Sequence, residues 1–380
     1  MSVTRIVDRL EDVAEPDWNR LAGEGSFFLS YDWLRYIESE RTEEPRYVLA
    51  EADGTVQGAL PLYRVRQAYR ALYRGEHFSE LLGFTGEVLV AGACRGFRNT
   101  LLLLPPDRLA PADRLGTLAA LLERARREAA RDGHAGLVLP YLTTPALLKV
   151  AQVAGVRAAF DMAEAEMLGT EGGFGAYVER APRRVRGKLR SDQARFERAG
   201  WVIRQRDLGE CWPEAARLLD NLQRKYHHTD KTVADHERVL SGQARHMARH
   251  SVMFSCEDDD GIAGFAVFYR WRNTLFGGFA GFDYDRLRDG REYFNVTVCA
   301  PLEYAGKAGV ERLHLGVASW EAKGYRGAVL APLWSAFVPA GSGGPPGLEV
   351  VNPQAARQQA EEIASRGIVT SQDEWELTSR

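Results

Sequence analysis

The sequence lacks the features of a membrane protein, a disulfide-stapled domain or a general polyanion binder. No apolar run approaches the roughly 20 residues that a membrane-spanning helix needs, and the first residues contain no apolar signal core. The four cysteines are scattered without paired spacing, which favours a reducing cytoplasm. A net charge of -3 and a sequence pI of about 6.3 exclude a global field that attracts DNA. We therefore expect a cytoplasmic protein with no membrane span and no DNA partner, in which any contact with a polyanion is local.

Several catalytic signatures are missing as well. There is no Gly-x-Ser-x-Gly elbow, no Walker phosphate loop and no Cys-x-x-Cys pair, so hydrolase, NTPase and zinc-module interpretations lose support. His246 and His250 have the spacing of a zinc pair, but Met247 stands where the metalloprotease motif has glutamate. We expect no metal and no tightly bound cofactor.

The length and the internal pattern predict two domains. With 380 residues, of which 45% are hydrophobic and 27% charged, the chain is too long for one ordinary core. Hairpin patterns around Asp-Gly turns occur at 46–63 and 251–269, each after helical segments and before a further helix and strand. Two such hairpins can coincide by chance, but the shared order favours duplication. We place one domain at 1–165 and another at 166–340, and we expect 341–380 to be a flexible linker and tail.

A concentration of positive charge marks the segment 182–200. Its apolar residues fall on one face at helical spacing, Pro182 suits the first helical position, and Gly200 suits the position after the last. Because arginine and lysine are the usual ligands of phosphate, the exposed face is a candidate site for a donor's phosphates. A solvated helix whose charges pair with nearby acids is the alternative. The candidate residues are Arg183, Arg184, Arg186, Lys188 and Arg190.

The segment 319–328 brings a carboxylate, an amine and a guanidinium within six positions, just after a strand-like run at 312–317. Such groups can serve acid–base or charge-stabilising chemistry when a sheet holds them rigidly. A surface pair of glutamate and lysine is the alternative.

These elements, in this order, resemble the FemABX-like "peptidoglycan biosynthesis/recognition" group of tandem acyltransferases in the GNAT superfamily. The resemblance covers 175–340 and is carried by the basic helix with its Ala-Gly-Trp ending, the second hairpin, Arg-Glu-Tyr-Phe-Asn at 291–295, and Glu-Ala-Lys with Arg-Gly at 321–327. The first half of the chain, with its segment 27–34, looks like the N-terminal copy. The resemblance implies an α/β fold of two tandem GNAT-like domains, each a mixed, mostly antiparallel sheet flanked by helices, with the substrates in a cleft where the domains meet.

The resemblance further implies transfer of an activated acyl or aminoacyl group to an amine by direct attack. Relatives that use acyl-CoA carry an Arg/Gln-x-x-Gly-x-Gly/Ala loop opening a helix after a central strand, and no copy is placed there in this sequence. Together with the basic helix, this favours aminoacyl-tRNA as the co-substrate and tRNA as a partner. The acceptor would be a small-molecule amine, either a metabolite or a peptidoglycan-precursor-like compound. An acyl-CoA-dependent N-acetyltransferase and a non-catalytic module for an anionic peptide or glycan are the alternatives.

The resemblance also assigns roles to the late residues. Lys323 matches the lysine of the family's Glu-x-Lys element and would stabilise the oxyanion that forms when the amine attacks. Glu321 would accept a proton from the attacking ammonium or orient Lys323. The residues expected to contact substrate are Arg326, Tyr325, Glu292, Tyr293 and Asn295.

Overall fold

The structure, a computed structural model, describes residues 3–23, 25–65, 71–227, 230–341 and 344–377. Ser342 and Gly343 of the expected linker lie outside these residues. The chain forms two compact units. Unit 1 comprises Met1–Ala163, Ala331–Glu362 and Ser371–Arg380, and unit 2 comprises Glu164–Leu330 and Ile363–Thr370.

Strands and helices alternate along most of the chain. The strands are β1 (Val3–Val7), β2 (Glu43–Ala52), β3 (Thr55–Val65), β4 (Val88–Ala91), β5 (Leu102–Leu103), β6 (Gly136–Thr143), β7 (Gly155–Leu168), β8 (Val202–Arg206), β9 (Ser251–Asp258), β10 (Gly261–Trp271), β11 (Thr274–Phe282), β12 (Arg312–Gly316), β13 (Val329–Pro339) and β14 (Gly347–Val350). The helices are α1 (Glu15–Leu21), α2 (Tyr31–Glu40), α3 (Gly75–Leu82), α4 (Pro111–Arg131), α5 (Thr144–Ala151), α6 (Gly173–Arg180), α7 (Arg183–Arg198), α8 (Leu208–Lys225), α9 (Val233–His246), α10 (Glu292–Phe294), α11 (Ala300–Ala308), α12 (Trp320–Gly324), α13 (Pro353–Ser365) and α14 (Gln372–Trp375). Short 3-10 turns cover Leu10–Asp12, Phe27–Leu29 and Ala71–Tyr73.

Unit 1 is built on a sheet in the order β1-β2-β3-β4-β6-β13. Its neighbouring strands are antiparallel except β4 and β6, which run parallel and are connected through the long helix α4. β2 and β3 form the predicted hairpin, which closes across Asp53 and Gly54. Both turn residues have positive φ (51° and 72°), as a two-residue turn with the twist of its strands requires.

Unit 2 repeats this plan in the order β7-β12-β11-β10-β9-β8, to which β7 contributes its last residues. Here β11 and β12 are the parallel pair, and the remaining neighbours are antiparallel. Helix α8 packs on β10 and β11. Gly281 permits this close approach, because a Cβ on it would lie 2.5 Å from the Leu218 carbonyl carbon. Both units therefore show the expected α/β organisation, a mixed and mostly antiparallel sheet with flanking helices.

The basic helix is confirmed as α7, with Pro182 at its N-cap and Gly200 just after its C-cap at φ 74°. The further helix expected after the second hairpin is interrupted, because a π-helical turn, Asn295–Cys299, separates α10 from α11. Pro301 explains the interruption, since its ring conflicts with the carbonyl four residues earlier and removes a backbone donor.

Residues 341–380, expected to be a linker and tail, contain ordered elements. β14 pairs in parallel with the start of β7, and α13 and α14 follow. Ile363, Ile368 and Trp375 are buried, and the segment Ile363–Thr370 belongs to unit 2. Among the described residues, no helix combines the length and the apolar composition needed to cross a lipid bilayer.

Candidate functional site

The parallel strands of unit 2 separate in the middle of the sheet. Their register covers only 274–276 on β11 and 312–314 on β12, although β11 continues to Phe282. On its other edge β11 stays paired with β10 to the end. Residues 277–280 are half-buried, although this stretch lies within an inner strand. We call this opening, between 277–280 of β11 and 315–316 of β12, the strand gap.

Lys323 contacts β12 where its parallel register with β11 ends. Its Nζ donates to the carbonyl oxygen of Leu315 at 2.6 Å, and Leu315 is the first residue of β12 beyond the paired register. Gly277 of β11, the first residue beyond the paired register, lies close to Leu315, because a Cβ on Gly277 would lie 3.7 Å from the Leu315 carbonyl carbon. The side chain of Lys323 is buried, and this desolvation lowers its pKa from 10.5 to about 7.

A buried contact between a histidine and a glutamate lies beside this point on the strands. His314 Nε2 is 2.8 Å from Oε2 of Glu164, and both side chains are almost completely buried. His314 is also the last residue of β12 in register with β11. Neither residue was singled out by the sequence patterns, because a lone histidine in a strand carries no motif.

Unit 1 has no equivalent opening among its described residues, because its own chain lies beside the corresponding strand. The parallel register of β4 and β6 likewise covers three residues, 88–90 with 136–138. Beyond it, Asn99 N donates to the carbonyl of Tyr141 at 2.9 Å, and Thr143 N donates to the carbonyl of Asn99 at 3.2 Å. β5 then pairs with β3. The strand gap thus belongs to unit 2.

Glu321 and Lys323 point in different directions. They are two positions apart on the short helix α12, a spacing that does not place side chains on one helix face. The Glu321 carboxylate accepts from the Tyr325 hydroxyl at 2.9 Å and pairs with Arg366 at 2.6 Å, with 41% of its side chain exposed. Arg184 stacks over the Tyr325 ring and donates to the Arg366 carbonyl at 2.7 Å. Glu321, Tyr325 and Arg184 therefore form a surface cluster, away from the buried amine.

Arg326 is engaged inside unit 2. Its Nε is 2.6 Å from Oδ2 of Asp192, and both side chains are about 2% exposed. Its guanidinium also stacks on Phe294 and donates to the Ala322 carbonyl. Asn295 donates to the backbone carbonyl of Asp192 at 3.1 Å. This network ties α7, α12 and the π-helical turn together, so the structure places Arg326 and Asn295 in packing contacts.

Glu292 is buried and organises the loop before α10. Its Oε1 accepts from Trp201 Nε1 at 2.8 Å, from Arg288 N at 2.9 Å and from Gly290 N at 3.1 Å. Tyr293 is half-buried against Phe282, and burial raises the pKa of its hydroxyl. Glu292 therefore holds its own loop, and its carboxylate is directed toward protein groups.

The remaining residues of the basic face line the outside of α7. Arg183, Lys188 and Arg190 are exposed, and Arg186 is half-buried. The helix carries seven basic and two acidic residues, and one of the acids, Asp192, is buried against Arg326. Its outer surface is therefore strongly positive. Within the described residues, no cluster of metal-ligating side chains is found.

Some components of the site were not identified from the sequence. Arg366 comes from the segment expected to be a flexible linker and tail, and Asp192 is buried against Arg326. The strand gap was not predicted either. The glycines of β11 are the one signal that could have indicated it, because glycine within a strand often marks close approach of another backbone or a ligand.

The architecture of the protein is similar to that of several known structures, although no family model and no curated protein matches the sequence. FemX gives a TM-score of 0.62 at 11% identity, over 88% of this chain and 97% of FemX. The C-terminal domain of a putative lysylphosphatidylglycerol synthetase from Agrobacterium fabrum gives 0.52 at 14% identity, over 85% and 91%. A tandem GNAT protein from the clavulanic acid biosynthesis pathway gives 0.50 at 13% identity, over 90% and 99%.

At these identities the likeness establishes the fold. The protein has two GNAT-like domains in tandem, as in the FemABX-like group that the sequence resembles. The sequence-based assignment of fold class is confirmed.

Proposed function

We propose that the protein is an acyltransferase that moves an activated acyl or aminoacyl group onto an amine at the strand gap of unit 2. One observation carries this proposal: two parallel strands stop pairing beside Leu315, whose carbonyl accepts a hydrogen bond from the buried amine of Lys323. Where two strands diverge, an extended ligand can bind through main-chain hydrogen bonds. Its carbonyl would then lie close to a group that can handle charge or protons.

The loop before α10 favours a donor other than acyl-CoA. In CoA-dependent relatives the loop between the central strand and the following helix offers backbone amides to the pyrophosphate. Here two amides of that loop, Arg288 N and Gly290 N, donate to the carboxylate of Glu292. A buried carboxylate thus takes the place of a phosphate and would repel one. This supports aminoacyl-tRNA as the donor.

The outer face of α7 supports the same donor. Its exposed Arg183, Lys188 and Arg190 can contact successive phosphates of a polynucleotide, which binds largely through such charges. Arg184 and Arg366 extend this surface to the Glu321 cluster. We propose that this basic surface holds the tRNA while the aminoacyl end enters the strand gap.

The acceptor is proposed to be a small-molecule amine, such as a metabolite or a peptidoglycan-precursor-like compound. Two of the similar structures leave both tRNA and acyl-CoA open as donors. One is named a putative lysylphosphatidylglycerol synthetase, and the tandem GNAT protein is described as a form without acetyl-CoA. The cytoplasm is the proposed compartment, and the four cysteines, all unpaired thiols, fit its reducing conditions.

The test is transfer of a radiolabelled acyl group from charged tRNA or from acetyl-CoA to a panel of amino acids, dipeptides and amino sugars. We expect a ribonuclease-sensitive product that Lys323→Ala reduces strongly and the surface control Lys307→Ala leaves unchanged. A product that survives ribonuclease and requires the CoA thioester would instead identify an N-acetyltransferase. No transfer from either donor, with tight binding of an anionic peptide or glycan, would identify a binding module.

A further inference from the structure

Lys323 differs from the other lysines in its burial. The chain contains six lysines, and Lys323 is the only one that is buried, with 5% of its surface exposed. Its amine makes one hydrogen bond, to a backbone carbonyl, and a neutral amine can donate that bond as well as an ammonium. The geometry therefore does not require a charged lysine.

No neighbouring carboxylate among the described residues would neutralise a charged Lys323 amine. None of the described carboxylates forms an ion pair with Nζ, and desolvation is the one cause of its lowered pKa, about 7. The carboxylates on neighbouring elements are each paired with another side chain. The pairs are Glu321 with Arg366 from the tail, Arg326 with Asp192 from α7, and His314 of β12 with Glu164 of β7.

We propose that Lys323 is the general base of the acyl transfer, resting on the proposed function, and that it enters the reaction as a neutral amine. The sequence resemblance assigned this lysine to oxyanion stabilisation, which needs a positive charge from the start. In the structure its burial without a carboxylate partner favours the uncharged form. Glu321, the other candidate base, is tied to Arg366 and Tyr325 at the surface.

Lys323 Nζ takes one proton from the acceptor ammonium, and the freed amine lone pair attacks the acyl carbonyl to form the C–N bond. The resulting ammonium of Lys323 then stands beside the oxyanion. The bond from the acyl carbon to the leaving oxygen, or to sulfur in a thioester, breaks, and Lys323 returns its proton to that leaving atom. The amide nitrogen loses the second ammonium proton to solvent.

The first test needs no substrate. Lysine labelled with ¹³C at Cε reports the protonation of each amine by NMR, and six resonances are few enough to resolve. Lys323→Arg assigns the resonance of interest, and Lys307→Arg serves as the control assignment. We expect the resonance that Lys323→Arg removes to titrate near pH 7. A Lys323 resonance that titrates near 10.5 would overturn the proposal even if the protein transfers acyl groups.

The second test separates a base from a fixed charge. Lys323→Arg keeps a positive charge but cannot deprotonate, so a general base predicts a loss of about 10²- to 10⁴-fold in kcat/KM. Lys323→Ala should regain activity with small added amines, more strongly as their basicity increases. Lys323→Arg with near wild-type turnover would overturn the proposal and leave the acyltransferase assignment intact. Absence of transfer in the wild-type protein would instead remove the proposed function.

Discussion

Burial of Lys323 makes the stability of the protein depend on pH in a defined direction. Its pKa is about 7 in the folded protein and near 10.5 when exposed. Between these values the unfolded chain binds a proton that the folded chain does not, so stability rises with pH and is lost as pH falls from 10.5 to 7. The full span corresponds to about 5 kcal/mol, at ~1.36 kcal/mol per pKa unit.

We therefore predict that Lys323→Met is more stable than the wild type at pH 7 and inactive. The methionine fills a similar volume and removes the desolvated amine, so the gain should shrink as the pH approaches 10. Urea unfolding at pH 7 and pH 10 measures this, with Lys307→Met as the exposed control. Equal pH slopes in Lys323→Met and the wild type would contradict a buried, neutral lysine.

Arg326 and Asp192 should behave as one structural unit. Removing either partner strands a buried charge, so Arg326→Met and Asp192→Asn should each lower the free energy of unfolding by about 3–5 kcal/mol. The double variant should lose less than the sum of the two, because it strands no charge. Chemical denaturation of the three variants measures the coupling. A stable Arg326→Met variant with only a raised KM would support the substrate contact that the sequence suggested.

At the scale of elements, α7 is predicted to act through its outer charges. Lys188 on α7 and Lys307 on α11 are both exposed lysines, so they form a matched pair. We predict that Lys188→Ala weakens tRNA binding and reduces the slope of log K against log salt by about 0.7–0.9, whereas Lys307→Ala changes neither. Filter binding between 50 and 200 mM salt, about the range where such contacts are sensitive, measures both. Equal effects in the two variants would remove α7 from the interface.

Elements with strong local signals could be predicted from the sequence. The Asp-Gly hairpin of β2 and β3 follows from two turn residues that tolerate positive φ, and α7 follows from its apolar spacing, Pro182 and Gly200. β11 could not be predicted, because its three glycines lower strand propensity and only the neighbouring strands hold it extended. The π-helical turn depends on packing around Pro301 and has no sequence period.

The sequence identified several site residues by type, but it could not predict whether each is buried or which groups it contacts. Lys323, Glu321 and Tyr325 were identified because their residue types suit acyl transfer. Their separation into a buried amine and a surface cluster depends on which face of α12 meets β12, and this is decided by tertiary packing. Arg366 was missed because it reaches Glu321 across 45 positions of sequence.

At the scale of the whole molecule, the two units share one strand order, and they differ where the parallel pair of each sheet ends. In unit 1 the chain around Asn99 bonds to β6 beyond its parallel register with β4. In unit 2 the corresponding position of β12 is Leu315, whose carbonyl accepts from Lys323. We therefore expect unit 2 to carry the chemistry and unit 1 to bind no donor in the equivalent place.

The most direct measurement is the position of a stable donor analogue in a crystal structure of the protein. An aminoacyl-adenosine in which an amide replaces the reactive ester retains the carbonyl and cannot be transferred. Our account predicts the analogue in the strand gap of unit 2, with its carbonyl oxygen within about 3.2 Å of Lys323 Nζ. An analogue bound in unit 1, or bound in unit 2 with its carbonyl remote from that amine, would contradict it.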